Sequence, residues 1–265
     1  MKKYNYLKTQ GVSNILYPIT RIKNIRSEKQ NNLIVMNYID NKNVRVENHI
    51  TSMFEELTKI HEQTKFKVTL SKDKSKKKIE EIYNYINYKF NGLEFFVRTV
   101  EASEFNENSI IILKNYQYLL DIQKEMYTLL RKIISDIKIG KSIEMCFIHN
   151  NPKVDHFVND YNNKYYISIE NSRIGICSLD IAKFYVENEM YNVDIESMIK
   201  DYFNSISESF YYDYFCFSVL LIYLKSLKVY GNDYVTSQNF LSICTLIKKF
   251  KSKFLTNIWF FFYKP

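Results

Sequence analysis

The sequence predicts an α+β protein with a small strand-bearing N-terminal part and a large, mainly helical remainder. Three observations carry this. Five glycines and three prolines in 265 residues are too few for a sandwich or barrel built on many tight turns. From residue 47 onward apolar residues recur at three- and four-residue steps, the helical period. Strand-like text is confined to Tyr17–Ile25, Asn32–Ile39 and two short runs around a polar loop at His149–Val158.

In order along the chain, Lys2–Gln10 reads as a short helix closed by Gly11. Tyr17–Ile25 and Asn32–Ile39 read as strands joined by the polar segment Arg26–Asn31, the second apolar enough to be buried on both faces. A helix over Glu47–Gln63 places Ile50, Met53, Phe54, Leu57 and Ile60 on one stripe. His61 follows that stripe and is read as a packed or capping histidine. The lysine cluster Lys72–Lys78 opens an amphipathic helix with Ile79, Ile82, Tyr83, Ile86 and Phe90 as its apolar side. Gly92–Ser103 and Asn108–Ile139 are also helical, the latter with an expected break near Asp121. Ile143–Ile148 and Lys164–Ile169 are expected as short strands flanking the polar loop. Leu179–Val186, Ile195–Phe203, Phe210–Val229 and Tyr234–Phe254 return to helix. No repeat, Gly/Ser linker or low-complexity tract interrupts the chain.

The net charge of +8 is read as a solvated lysine surface rather than a nucleic-acid site, because the excess of Lys, Asn, Ile, Tyr and Phe follows the coding bias of an AT-rich genome. Cys146, Cys177, Cys216 and Cys244 are far apart and set among apolar residues, so buried free thiols are expected. The start lacks the apolar core of a signal peptide. No apolar run reaches the ~18 residues of a membrane span; Phe215–Leu224 is too short, and Trp259–Tyr263 is shorter still. The expected location is cytoplasmic, without a membrane span.

Chemistry concentrates in Phe147-Ile148-His149-Asn150-Asn151-Pro152-Lys153-Val154-Asp155-His156-Phe157 and, twelve residues after His156, in Ile167-Ser168-Ile169-Glu170. An apolar run ending in His-x-polar, four intervening residues, a second polar group and then a short strand matches the layout of kinase-like phosphotransfer sites. His149–Phe157 resembles the catalytic loop H-G-D-x-x-x-x-N of the aminoglycoside phosphotransferase and choline kinase branch of the protein-kinase-like fold, and within it the spore-coat-kinase-like group. Ile167–Ala182 resembles the segment I-D-W-E-x-A-x-x-G-D-P-x-x-D-L-A, with Ile167, Glu170, Gly175, Asp180 and Ala182 identical. Met53–His61 resembles the helix that usually ends in Leu-His.

The resemblance covers nearly the whole chain and implies a curtailed N-lobe at residues 1–40 (a helix, two strands and the hinge) and a helical C-lobe at 41–265. Asn37, Tyr38 and Ile39 would be the hinge where adenine bonds backbone groups. His149 and Asp180 would be structural, Asp180 bracing the loop from below. The glycine-bearing hairpin and strand lysine that precede the first helix in the family have no counterpart here, so a short small lobe is expected, through real truncation, a misplaced start or a chain that is a fragment.

The departures fall on the reactive positions. Asn151 stands where a carboxylate accepts the substrate proton, and an amide cannot act as that base. His156 and Ser168 stand where an amide and a second carboxylate hold the metal, and magnesium prefers oxygen and negative charge. The implied function is a degenerate, pseudokinase-type protein that binds a small molecule, a nucleotide without metal or a protein partner, with no cofactor expected. The alternative is an active ATP-dependent small-molecule kinase that retains ATP and Mg, with Asp155 or Glu170 as replacement ligand. A Ser168–His156–Asp155 triad lacks support, since neighbours on one loop do not converge and no G-x-S-x-G elbow is present. A short lobe would leave sheet edges uncovered and make dimerisation through them an expectation.

Overall fold

The computed structural model describes residues 2–23, 32–39, 44–137, 142–159, 163–191 and 193–255. In chain order the elements are α1 (Lys2–Thr9), β1 (Pro18–Lys23), β2 (Asn32–Met36), α2 (Val46–Thr64), β3 (Phe66–Thr69), α3 (Lys72–Glu101), α4 (Glu107–Asp136), β4 (Ser142–Ile148), β5 (Phe157–Asn159), β6 (Lys164–Tyr166), β7 (Arg173–Gly175), α5 (Cys177–Asn188), α6 (Ile195–Asn204), α7 (Ser209–Ser226) and α8 (Tyr234–Phe254). Helix dominates and the strands are few and short, as the scarcity of turn residues requires. The chain divides into two compact units, Met1–Lys67 with Glu144–Ile199 and Val68–Ile143 with Lys200–Pro265. The boundary expected near residue 40 and the aromatic segment Trp259–Tyr263 lie outside the described residues.

In the first unit, α1 stops because Gly11 takes φ +73°. Its N–H bonds Lys8 O and the Val12 N–H bonds Leu7 O, both at 3.1 Å, the paired bonds of a Schellman cap. β1 and β2 form an antiparallel pair. The expectation that Leu33–Ile39 is buried on both faces fails where its side chains are described. Val35 is exposed and Tyr38 is 89% exposed, and among the described residues β2 pairs with β1 alone. α2 buries the predicted stripe, and the Tyr166 hydroxyl of β6 donates to Met53 O at 2.8 Å. The two strands predicted around the polar loop do not pair with each other. β4 pairs antiparallel with β7, and β5 with β6.

In the second unit α3 and α4 each run unbroken for 30 residues. The expected gap before Gly92 closes because Leu93, Phe96, Val97 and Val100 are buried. At about 2 kcal/mol apiece they outweigh the ~1 kcal/mol cost of one helical glycine. The expected break at Asp121 is absent; Asp121 accepts from Lys124 at 3.1 Å on the exposed face. α4 starts on a capping box between Asn106 and Ser109. The apolar run in α7 is core: Phe215 to Leu220 are all buried, and Phe215 meets Phe250 and Phe254 of α8 with ring centroids at 5.9 and 5.3 Å. Among the described residues no helix is long and apolar enough to cross a membrane. Cys146, Cys216 and Cys244 are buried, Cys177 is partly so, and none of the four is in a disulfide.

Candidate functional site

The polar loop leaves β4 at His149, and its geometry follows from one buried carboxylate. Asp180, in the first turn of α5, is fully buried. It accepts the His149 N–H at 2.7 Å, the Asn150 N–H at 2.6 Å and His61 Nε2–H at 3.1 Å. A buried carboxylate is tolerated when such donors replace water, so the backbone of His149–Asn150 is held where these bonds are satisfied. That demand drives Asn150 to φ 65°, the left-handed region that asparagine tolerates better than other side chains. Lys183 Nζ then bonds both the carbonyl and Oδ1 of Asn150, each at 2.8 Å.

Two cross-links bind this loop to the segment after β6. His149 Nε2–H donates to Ile167 O at 2.8 Å, and Asn150 Nδ2–H donates to Asn171 O at 2.9 Å. Between those anchors Ser168 sits at φ 59°, ψ 49°. This is why β6 ends at Tyr166, short of the predicted Ile169. A left-handed serine costs about 1 kcal/mol, offset by the bonds on either side. Asn150 and Ser168 are the two non-glycine residues with positive φ among the described residues. Each sits at or beside a predicted site position.

His156 closes a short 3₁₀ turn, Val154–His156. Its Nδ1–H donates to Asn151 O at 2.9 Å and its carbonyl accepts the Ile167 N–H at 2.9 Å. The backbone therefore brings Asn151, His156 and Ser168 onto one pair of cross-linked loops. Among the described residues the Asn151 amide, His156 Nε2 and the Ser168 hydroxyl make no hydrogen bond to the protein. Asn37, Tyr38 and Ile39 are not joined to these loops by any hydrogen bond or ring contact among the described residues.

Two histidines of α2 reach the same region. His61 is buried on Asp180, and His49 faces Phe157 with centroids at 5.2 Å and lies 3.4 Å from Val154 O. All four histidines of the chain thus contact the loop or its brace. No spacing in α2 announced His49, since a lone histidine carries no periodic signal. Burial lowers the pKa of His149, opposed by the charge of Asp180, and burial likewise lowers that of His49. The Ile167 carbonyl can only accept, so Nε2 of His149 carries a proton.

The donors present do not suit the magnesium ion that a kinase-type site implies. Asn151, His156 and Ser168 offer a neutral amide, an imidazole nitrogen and a hydroxyl, whereas magnesium is usually held through one or two carboxylates. Asp180 is spent on three donors. Asp155 and Glu170 are exposed, and no three His, Cys, Asp or Glu side chains among the described residues are grouped to hold a metal.

No protein-family profile matches the chain, and no curated protein is similar to it in sequence. Solved structures do match. An aminoglycoside phosphotransferase from Alicyclobacillus acidocaldarius superposes with a TM-score of 0.69 over 97% of this chain and 80% of its own, at 11% identity. A choline/ethanolamine kinase family protein from Mesorhizobium loti gives a TM-score of 0.47 over 93% and 77% of the two chains, at 13% identity. An ethanolamine kinase from Plasmodium vivax gives 0.42 over 95% and 72%, at 13% identity. The first establishes the fold: few strands, a large helical portion, and the protein-kinase-like architecture. The other two scores are too low to add to it.

Proposed function

We propose that the chain is a binding protein on a phosphotransferase-type fold, a pseudokinase with little or no phosphoryl transfer. The fold supports an origin among such enzymes, and the motif text of Ile167–Ala182 supports the spore-coat-kinase-like group. The observation that carries the reading is the donor set on the cross-linked loops. Asn151, His156 and Ser168 supply no negative charge, and the one carboxylate beneath them, Asp180, already accepts three hydrogen bonds. Phosphoryl transfer rests on positioning and charge neutralisation by metal, so its absence would cost orders of magnitude in rate. The open amide, imidazole and hydroxyl can still bond a ligand directly. Asn37–Ile39 enters the proposal as the hinge if that ligand is a nucleotide. A cytoplasmic setting, which free thiols suit, belongs to the same proposal.

A thermal-shift titration with ATP, with and without magnesium, tests this. Any stabilisation is expected to be the same in magnesium and in EDTA. Magnesium-dependent stabilisation, or turnover of ATP in the presence of a small hydroxyl acceptor, would favour the active-kinase alternative instead.

A further inference from the structure

Six of the fifteen exposed large apolar side chains of the described residues fall in two short stretches of the second unit. Phe105 and Ile110 flank the start of α4, and Val229, Tyr230, Tyr234 and Val235 surround the start of α8. Phe105 is 63%, Tyr230 66% and Tyr234 68% exposed. The two stretches form one surface, because side chains stitch them together beneath it. Asn232 Nδ2–H donates to Ser103 Oγ and Ser109 Oγ, both at 3.0 Å, and Ser237 Oγ–H donates to Asn108 Oδ1 at 2.9 Å. Asn106 and Asp233 cap the two helices that start there. A rigid polar base therefore presents aromatic and branched side chains to solvent, the arrangement that marks an interaction surface rather than scattered exposure.

Charge decides what the surface fits. Residues 99–110 and 227–237 carry Glu101, Glu104, Glu107 and Asp233 against Lys228, a local balance of −3 in a chain of net charge +8. All five are exposed. An anionic lipid surface or a nucleic acid would be repelled by this rim. A two-fold contact with a second copy would set the rim against itself. We propose that this surface docks a basic, amphipathic helix of a partner protein, with Phe105, Tyr230 and Tyr234 as apolar anchors and the glutamates steering its lysines and arginines.

The test uses the full chain and a fluorescein-labelled 18-residue amphipathic peptide of Leu and Lys, with a Leu/Glu peptide of the same pattern as control, read by fluorescence anisotropy. Saturable binding of the Leu/Lys peptide, weakening as salt rises, is expected. Tyr234→Glu and Phe105→Glu should each weaken it about tenfold or more. The double variant Glu104→Lys with Glu107→Lys should weaken it too, while Tyr88→Glu, on exposed α3 surface outside the stitched stretches, should not. These positions are exposed, so unchanged melting temperatures will separate lost binding from lost folding. The proposal fails if binding is absent, if the Leu/Glu peptide binds equally, or if the anchor variants bind like wild type. It also fails if Tyr234→Glu instead abolishes self-association in the ultracentrifuge or binding to phosphatidylserine vesicles.

Discussion

Asp180 shows how much one residue can organise. Its carboxylate replaces water for two backbone N–H groups and for His61, and those bonds set the path of the loop. Asp180→Asn keeps the volume but turns an N–H₂ group toward donors that need an acceptor. We expect a loss of about 2–4 kcal/mol in a urea denaturation series. An unchanged midpoint would mean that the loop is held by other bonds. His149 gives a second expectation at this scale. An unperturbed imidazole titrates at 6.5, and burial holds His149 below that value in the folded chain. As pH falls, the unfolded state therefore takes up its proton first. The contribution is intact above pH 6.5 and lost as pH falls below it towards the folded pKa, with His49 acting in the same direction. Unfolding midpoints compared at about pH 7.5 and about pH 5.5 should fall toward acid, and His149→Gln should flatten that fall while lowering stability at the higher pH.

The elements were legible where their period was long. α2, α4 and α8 carry enough turns for an apolar stripe to stand out, α7 reads as one continuous apolar run, and the expected bounds of α8 are those observed. β3, β5 and β7 span three or four residues each, too few for an alternation to be visible. The break expected near Asp121 rests on local chemistry, which the burial along α4 overrides. β7 offers a direct test of strand packing. A Cβ placed on Gly175 would lie 2.6 Å from Ile148 Cδ1 and 3.2 Å from its Cγ1, across the β4–β7 ladder. Gly175→Ala should cost about 1–3 kcal/mol. Ile148→Val removes the nearer atom, so the double variant should be less destabilised than the two single losses combined. Simple additivity would show that the strands part rather than clash. Asn106→Ala, which removes the α4 cap, should cost about 1 kcal/mol with no change in the loop region.

At the scale of the molecule, the proposed loss of phosphoryl transfer can be put to the test. Restoring charge does so directly. If the proposed loss of phosphoryl transfer is right, the triple variant Asn151→Asp, His156→Asn, Ser168→Asp should show a larger magnesium-dependent stabilisation by ATP than the native chain. If it gains none although it folds, the cross-linked loops do not bring the three positions to a common point.

The sequence by itself determined the class of fold and most of the helices, and it supplies the neutral side chains Asn151, His156 and Ser168. These depend on composition, period and residue identity, which are local properties of the text. Only the tertiary structure decided that Asp180 would gather His61 with the loop backbone, that Ser168 would be left-handed, and that β4 would choose β7 over β6. It also joined the start of α4 to the start of α8 through Asn232 and Ser237. Each of these joins residues far apart in sequence, and hydrogen-bond satisfaction in a buried setting selects them. That selection leaves no periodic trace in the chain.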